Sequence, residues 1–152
     1  MAFVHKKSAT SQNVKIVPHL TPLVVNSKEI RDLLLKEPEV HRVLQMALTA
    51  DLSFVGIGAI EPCNSFSQFG YRSKEDLELL TRLGAIGEIH GEYFDAEGQS
   101  LQLEQHDRLI ATRLSDLRKM KQVVGIAGGE RKLEALRGTL RGNLISTLIT
   151  DE

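Results

Sequence analysis

The stretch QVVGIAGGERKLEALRGTL, residues 122–140, decides the fold. Val123 to Ala127 form a short apolar run without the alternation of a half-exposed strand, so 122–127 reads as a buried strand. Gly128-Gly129 stop it. From Glu130 onward the apolar residues Leu133, Leu136 and Leu140 recur at i, i+3 and i+7, which predicts a helix over 130–141 ended by Gly142. A strand, a glycine turn and a helix in direct succession make an α/β unit.

Working outward, LISTLI (144–149) and LSFVGI (52–57) repeat the short apolar pattern and predict two more buried strands. Ser27 opens a helix whose stripe is Ile30, Leu33 and Leu34. Pro38 restarts it, and Val40, Val43, Leu44, Ala47 and Leu48 carry the apolar face to about Ala50. Ser73 followed by Asp76 is a capping signature for a helix over 74–82, and Ser115 precedes a short helix. VKIV (14–17) and LVV (23–25) are extended candidates kept from helix by Pro18 and Pro22. Residues 86–94 and 99–103 flank Asp95-Ala96-Glu97-Gly98, which predicts a hairpin with its turn there. The sum is an α/β fold of three layers, a mainly parallel sheet with helices on both faces.

The chain has 152 residues, enough for one domain with a core that needs neither disulfides nor metals. Nineteen Lys and Arg against twenty Asp and Glu give a net charge of −1, so nothing global points to nucleic acid or an anionic membrane. The single Cys63 cannot form an internal disulfide, no apolar run approaches the ~20 residues of a membrane span, and MAFVHKKSATSQ lacks a secretory apolar stretch. These features predict a cytoplasmic protein. Residues 1–13 are polar and read as a flexible leader to a domain over 14–152.

Two places could carry chemistry. At Gly128-Gly129-Glu130-Arg131-Lys132, free N–H groups at a helix start and close backbone approach suit an anionic or hydroxylated ligand. Lys132 is unfavourable in a first helical turn, which prefers acids. The bland reading is that Glu130 offsets Lys132 and the glycines only turn the chain. In Ile86-Gly87-Glu88-Ile89-His90-Gly91-Glu92-Tyr93-Phe94, alternation puts Glu88, His90 and Glu92 on one face with Ile86 and Phe94. Carboxylates there need partners, such as sugar hydroxyls, a Lys or water, unless the strand is a wet edge.

Other features exclude more than they suggest. Gly125-Ile126-Ala127-Gly128 has the wrong spacing for a dinucleotide fingerprint, Gly56-Ile57-Gly58 lacks the third glycine, and no phosphate-loop Lys-Ser/Thr follows. Histidines 5, 19, 41, 90 and 106 show no metal-ligand spacing, and there is no serine nucleophile elbow. No cofactor is indicated. Phe66, Phe69 and Tyr71 could close over a ligand or fold back as a small cluster. The excess of nine basic over four acidic residues in 107–141 could meet phosphate or simply be a solvated face.

Several of these segments together resemble one family. LSFVGIGAI (52–60), GAIGEIHGEYFDAEG (84–98), VVGIAGGERKLEALRGTL (123–140) and NLISTLITDE (143–152) are similar, in order and interval, to the C-terminal part of the sugar-binding effector domain of SorC-type bacterial transcriptional regulators. VKIVPHLTPLVVNSKEIRDLLLKEP (14–38) resembles the segment before them. The resemblance implies a fold related to sugar-phosphate isomerases and glucosamine-phosphate deaminases, a phosphorylated sugar or polyol as effector, and assembly as a dimer or tetramer. It implies ligand binding at Gly87 and Glu88, which match the family's Gly-Asp-Ile, and at Gly128, Gly129 and Lys132, which match its Gly-Gly-x-x-Lys. Glu for Asp keeps the charge and adds a methylene. The family's helix-turn-helix, its Ser/Thr-containing phosphate loop and its closing helix have no match here, so 14–152 reads as a partial effector domain that contacts operator DNA only through a module outside this chain.

Three functions compete at this level. The first is an effector-binding module, with Lys132 and the glycine turn on the polar ligand and Glu88 on its hydroxyls. The second is an isomerase- or deaminase-like enzyme using Glu88 as base. The third is an assembly fragment without a ligand.

Overall fold

The computed structural model describes residues 17–61 and 73–151. The leader at 1–13, most of VKIV, Cys63 and the aromatics Phe66, Phe69 and Tyr71 lie outside the described residues.

The three apolar runs form one parallel sheet. β1 (Ser53–Gly56) pairs with β5 (Val123–Ile126), and β5 pairs with β6 (Thr147–Ile149), in the order β1-β5-β6. Between β1 and β5 the chain builds a second, antiparallel sheet of β2 (Gly58–Ala59), β3 (Gly87–Ile89) and β4 (Glu92–Phe94). Ile57 alone separates the two sheets in sequence. Among the described residues five helices accompany them: α1 (Lys28–Lys36), α2 (Pro38–Leu48), α3 (Lys74–Arg82), α4 (Leu114–Leu117) and α5 (Leu133–Arg141).

Local chemistry explains most of the boundaries. The Ser27 hydroxyl accepts the Ile30 N–H to start α1, and Pro38 stands in the first turn of α2, where its missing N–H costs nothing. Ser73 and Asp76 form a reciprocal capping box on α3. Residues 130–132 form a 3-10 turn before α5 begins at Leu133, and the left-handed residue after α5 is Asn143 (φ 50°) rather than Gly142 (φ −74°). α4 begins at Leu114, one residue before the Ser115 that the sequence pattern suggested as its opening signal.

The hairpin differs from the expectation. Its turn is His90-Gly91, both at positive φ (55° and 82°), as a two-residue turn matched to strand twist requires. At Asp95–Gly98 the side chain of Asp95 accepts the Glu97 and Gln99 N–H groups, and the chain returns with a single bridge between Phe94 and Ser100. Both segments carry turn residues, and the earlier one reverses the ladder. The reversal overturns the predicted shared face of Glu88 and Glu92. Register puts Glu88 with Gly58 and Tyr93 on one face, and Gly87, Ile89, Glu92 and Phe94 on the other.

The main core lies between the two sheets and α5, and includes Val55, Ile57, Ile89, Phe94, Leu136 and Leu144. Each large side chain fully buried there contributes roughly 1.5–3 kcal/mol relative to exposure. A smaller cluster of Leu80, Ala85 and Tyr93 joins α3 to the other face of the antiparallel sheet. The outer face of the parallel sheet departs from the predicted cover on both faces: Phe54, Ile126 and Ile149 on it are 60%, 47% and 51% exposed. α1 and α2 have no buried residue, and the segment leading to them is tied to 108–110 by the Val25 N–H to Arg108 and the Ile110 N–H to Leu23.

Candidate functional site

Ile57 and Gly58 occupy the point where the chain leaves the carboxyl end of β1 and enters β2. The carboxyl end of β5 lies beside it, since Gly56 pairs with Ile126. In open parallel sheets this edge is where ligands bind, because loops diverge there and helices begin with their N–H groups outward.

Two of the sequence candidates converge on this point from different elements. The Lys132 ammonium, at the end of the 3-10 turn, donates to the Ile57 carbonyl at 2.7 Å. The Glu88 carboxylate lies over Gly58, where a Cβ would overlap it, and accepts the Gly91 N–H at 2.9 Å. Gly58 is therefore glycine because the adjacent strand's acid fills the space of a side chain. A cation and an anion separated by 44 positions in the sequence thus meet two adjacent residues, Lys132 at Ile57 and Glu88 at Gly58. The group can accept hydrogen bonds from hydroxyls through Glu88 and the Ile57 carbonyl, and can donate through Lys132.

The other candidates fall elsewhere. Gly87 is on the opposite face from Glu88, packed against the Phe94 ring and Ala135 of α5, where a Cβ would collide. Gly128 and Gly129 stand at the carboxyl end of β5, and their partner comes from this chain. The Gly129 N–H donates to both carboxylate oxygens of Asp151, at 2.8 and 2.9 Å, and the same carboxylate fills the space beside Gly128. Hydrogen bonding from Gly129 holds the Asp151 carboxyl below the usual carboxylate range. The sequence reading missed Asp151, although its place just beyond the last apolar run was the available signal.

Glu92, the second acid of the hairpin, is only 3% exposed. Its oxygens take the Leu114 N–H at 2.8 Å, the Ser100 hydroxyl at 2.6 Å and the Arg113 guanidinium at 3.0 Å, so the carboxylate caps the start of α4. His106, also buried, accepts the Tyr93 N–H through Nε2 at 3.0 Å and stacks on the Tyr93 ring. That bond requires the neutral imidazole, and burial holds its pKa below the ordinary histidine value. His90 meets the Thr112 hydroxyl at 3.0 Å, and burial lowers its pKa as well.

A polar cavity of about 280 Å³ is lined by residues including Ser100, Glu104, His106 and Arg113, and a wider one of about 640 Å³ lies between α1, α3 and residues 103–108. Neither is lined by Glu88 or Lys132. Arg113 directs its donors to Glu92 and the His106 carbonyl, which marks that region as structural. Among the described residues no group of three or more His, Cys, Asp or Glu could hold a metal ion, and no helix is long and apolar enough to cross a membrane.

Comparison with known proteins adds an independent finding. The Sugar-bind family model, a sugar-binding domain, matches residues 3–152. The transcriptional regulator LsrR of Klebsiella pneumoniae is 36% identical over 143 residues, which cover 92% of this chain and 44% of that protein. The erythritol catabolism regulatory protein EryD of Brucella abortus is 34% identical over 131 residues, 86% of this chain and 41% of the relative. A DeoR family transcriptional regulator from Listeria monocytogenes has a solved structure that matches at a TM-score of 0.82 and 28% identity, covering 87% of this chain and 53% of that one. The chain spans less than half the length of the curated relatives named here.

Proposed function

The chain belongs to the Sugar-bind family of sugar-binding domains, and on that premise we propose that it is the effector-binding part of a bacterial transcriptional regulator. Its ligand is a phosphorylated sugar or related polyol held at Glu88 and Lys132. The observation that carries this reading is the convergence of both side chains on Ile57–Gly58 at the carboxyl edge of the parallel sheet. Glu88 accepts hydrogen bonds from ligand hydroxyls, and Lys132 supplies the cation for an oxygen-rich ligand. The names of the relatives, regulators throughout, support binding rather than turnover.

The finer fold assignment, kinship with sugar-phosphate isomerases and glucosamine-phosphate deaminases, rests on the resemblance of the 84–98 and 123–140 blocks. On the same grounds the regulator is a cytoplasmic dimer or tetramer that contacts operator DNA through a helix-turn-helix outside these 152 residues. Effector binding then shifts the population of the oligomer's states, which requires different affinities for them.

The test is a thermal-shift panel of phosphorylated and unphosphorylated sugars and polyols on the intact regulator, with product analysis of each mixture. At least one phosphorylated compound should raise Tm and emerge unchanged. In the isolated 152-residue chain the same compound should bind with Kd on the order of millimolar, because a few exposed polar contacts leave only about −4 kcal/mol once the lost translational and rotational freedom is offset. Turnover that disappears in Glu88→Gln would replace this reading with an enzyme.

A further inference from the structure

We propose that Asp151 is a positioning residue of this site. Its carboxylate sets the turn from which Lys132 reaches Ile57 and keeps anionic groups off that turn, so the Gly128–Gly129 side faces the neutral, hydroxyl-bearing part of the ligand. The inference rests on the function proposed above and orients the ligand within it.

β6 carries Asp151 to the glycine turn. Ile149 pairs with Ile126, and the Ala127 N–H donates to the Ile149 carbonyl, so the strand ends beside the glycine turn. Two residues later Asp151 turns its carboxylate onto the Gly129 N–H with both oxygens within 2.9 Å. Gly128 leaves room for it, since the carboxylate atoms lie 2.8–3.1 Å from the place of a Cβ. Gly129 itself has φ 94°, a conformation that few other residues adopt, and this backbone leads into the 3-10 turn that ends at Lys132. The geometry of the cation therefore depends on a turn that Asp151 holds.

The electrostatic consequence follows from the same contact. An N–H beside two glycines at a helix start is ordinarily available to a phosphate. Here it already serves a carboxylate, and the Lys132 ammonium is engaged at the Ile57 carbonyl. A phosphate arriving at the turn would meet a like charge with its N–H partner taken. A sugar hydroxyl meets the opposite situation: Asp151, Glu88 and the Ile57 carbonyl are all acceptors for its proton. The anionic end of a phosphorylated ligand accordingly points away from Gly128–Gly129.

The test follows the Gly129 amide resonance of the 152-residue chain during titration with inorganic phosphate. In the wild type the resonance should stay in place. In Asp151→Ala it should move, with an apparent phosphate affinity about two- to fivefold higher, as removal of an adjacent like charge at an exposed helix start predicts. Asp151→Asn keeps an acceptor for Gly129 without the charge and should fall between the two while preserving the Lys132 environment. Loss of a purely structural contact would not create phosphate binding. An equal response in wild type and Asp151→Ala, or no response in either variant, overturns the proposal. If Asp151→Ala fails to fold, Asp151→Asn decides alone, with a response clearly above wild type required. Failure of every sugar to bind the intact regulator would defeat the proposed function and leave the Gly129 result to be read by itself.

Discussion

Glu88 and Glu92 stand on neighbouring strands of one hairpin, four positions apart, and the fold uses them in opposite ways. Glu92 points into the core-facing side of the antiparallel sheet, where Leu114, Ser100 and Arg113 bind both of its oxygens. Glu88 points to the other side, above Gly58, next to the residue whose carbonyl takes Lys132. The two-residue turn between them assigns the faces. Had the ladder run straight through 86–94, both acids would have shared one side. The lesson is that a buried acid with a complete set of donors is architecture, whereas the partly exposed acid over Gly58, next to the carbonyl that takes a cation, is the candidate for binding.

Removing the architectural acid should cost most. Glu92→Ala leaves the buried Leu114 N–H and the Ser100 hydroxyl without their acceptor and the partly exposed Arg113 without its counter-ion, and stranding a buried donor costs about 1–3 kcal/mol. Urea unfolding should show this as a large fall in midpoint. An effect below about 1 kcal/mol would mean that solvent replaces the carboxylate, and the contrast with Glu88 would dissolve.

The same region should make the protein acid-sensitive. His106 is held neutral in the fold, its pKa below the unfolded value near 6.5. The unfolded chain then binds the proton more readily, so stability is fully present above pH ~6.5 and is lost as pH falls from there through the lowered folded pKa. His90 contributes with the same sign. Unfolding midpoints measured from pH 8 to 5 should decline below 6.5, and His106→Gln should flatten the decline. A flat wild-type profile would show that the Tyr93 N–H bond does not depend on the neutral ring.

Smaller effects should appear on the Glu88 side. Gly58→Ala adds a methyl where the Glu88 carboxylate now lies, and the mobile end of a side chain can yield, so the stability cost should stay near 1 kcal/mol. Effector binding by the intact regulator should nevertheless fall about tenfold, because misplacing one charge-assisted hydrogen bond is worth roughly 1.5 kcal/mol. Glu88→Gln can keep the Gly91 N–H bond and should change stability by less than about 0.5 kcal/mol. If it destabilises as much as Glu92→Ala, the two acids are alike and the site is misplaced.

Much of the architecture was legible because it is local or periodic. Ser27, Pro38 and Ser73 announced their helices, and the three apolar runs announced the parallel sheet, each with its signal inside a few residues. The turn at His90-Gly91 was harder, since His-Gly competes with the stronger turn composition of Asp95–Gly98. Side-chain acceptors on Asp95, rather than a second ladder, resolved that competition. Glu92 could not be told from Glu88 in the sequence, because its partners Arg113 and Leu114 lie 21 and 22 residues away. Lys132 and Glu88 were each identifiable as polar groups beside glycines. Their common destination at Ile57–Gly58 was not, because backbone atoms there do the joining. The open outer face at Phe54, Ile126 and Ile149 was equally hidden, since continuous apolar runs in parallel strands predict cover on both sides.

The most direct test of the account is effector titration of the intact regulator carrying Lys132→Ala, read alongside operator binding without effector. The Lys132 side chain reaches the Ile57 carbonyl from an exposed turn, so its removal should leave the fold and effector-free operator binding nearly unchanged. Effector affinity should fall at least tenfold, the scale of one charge-assisted hydrogen bond. Unchanged effector affinity in a folded Lys132→Ala protein would contradict the assignment of the site to Glu88, Lys132 and the Ile57–Gly58 junction.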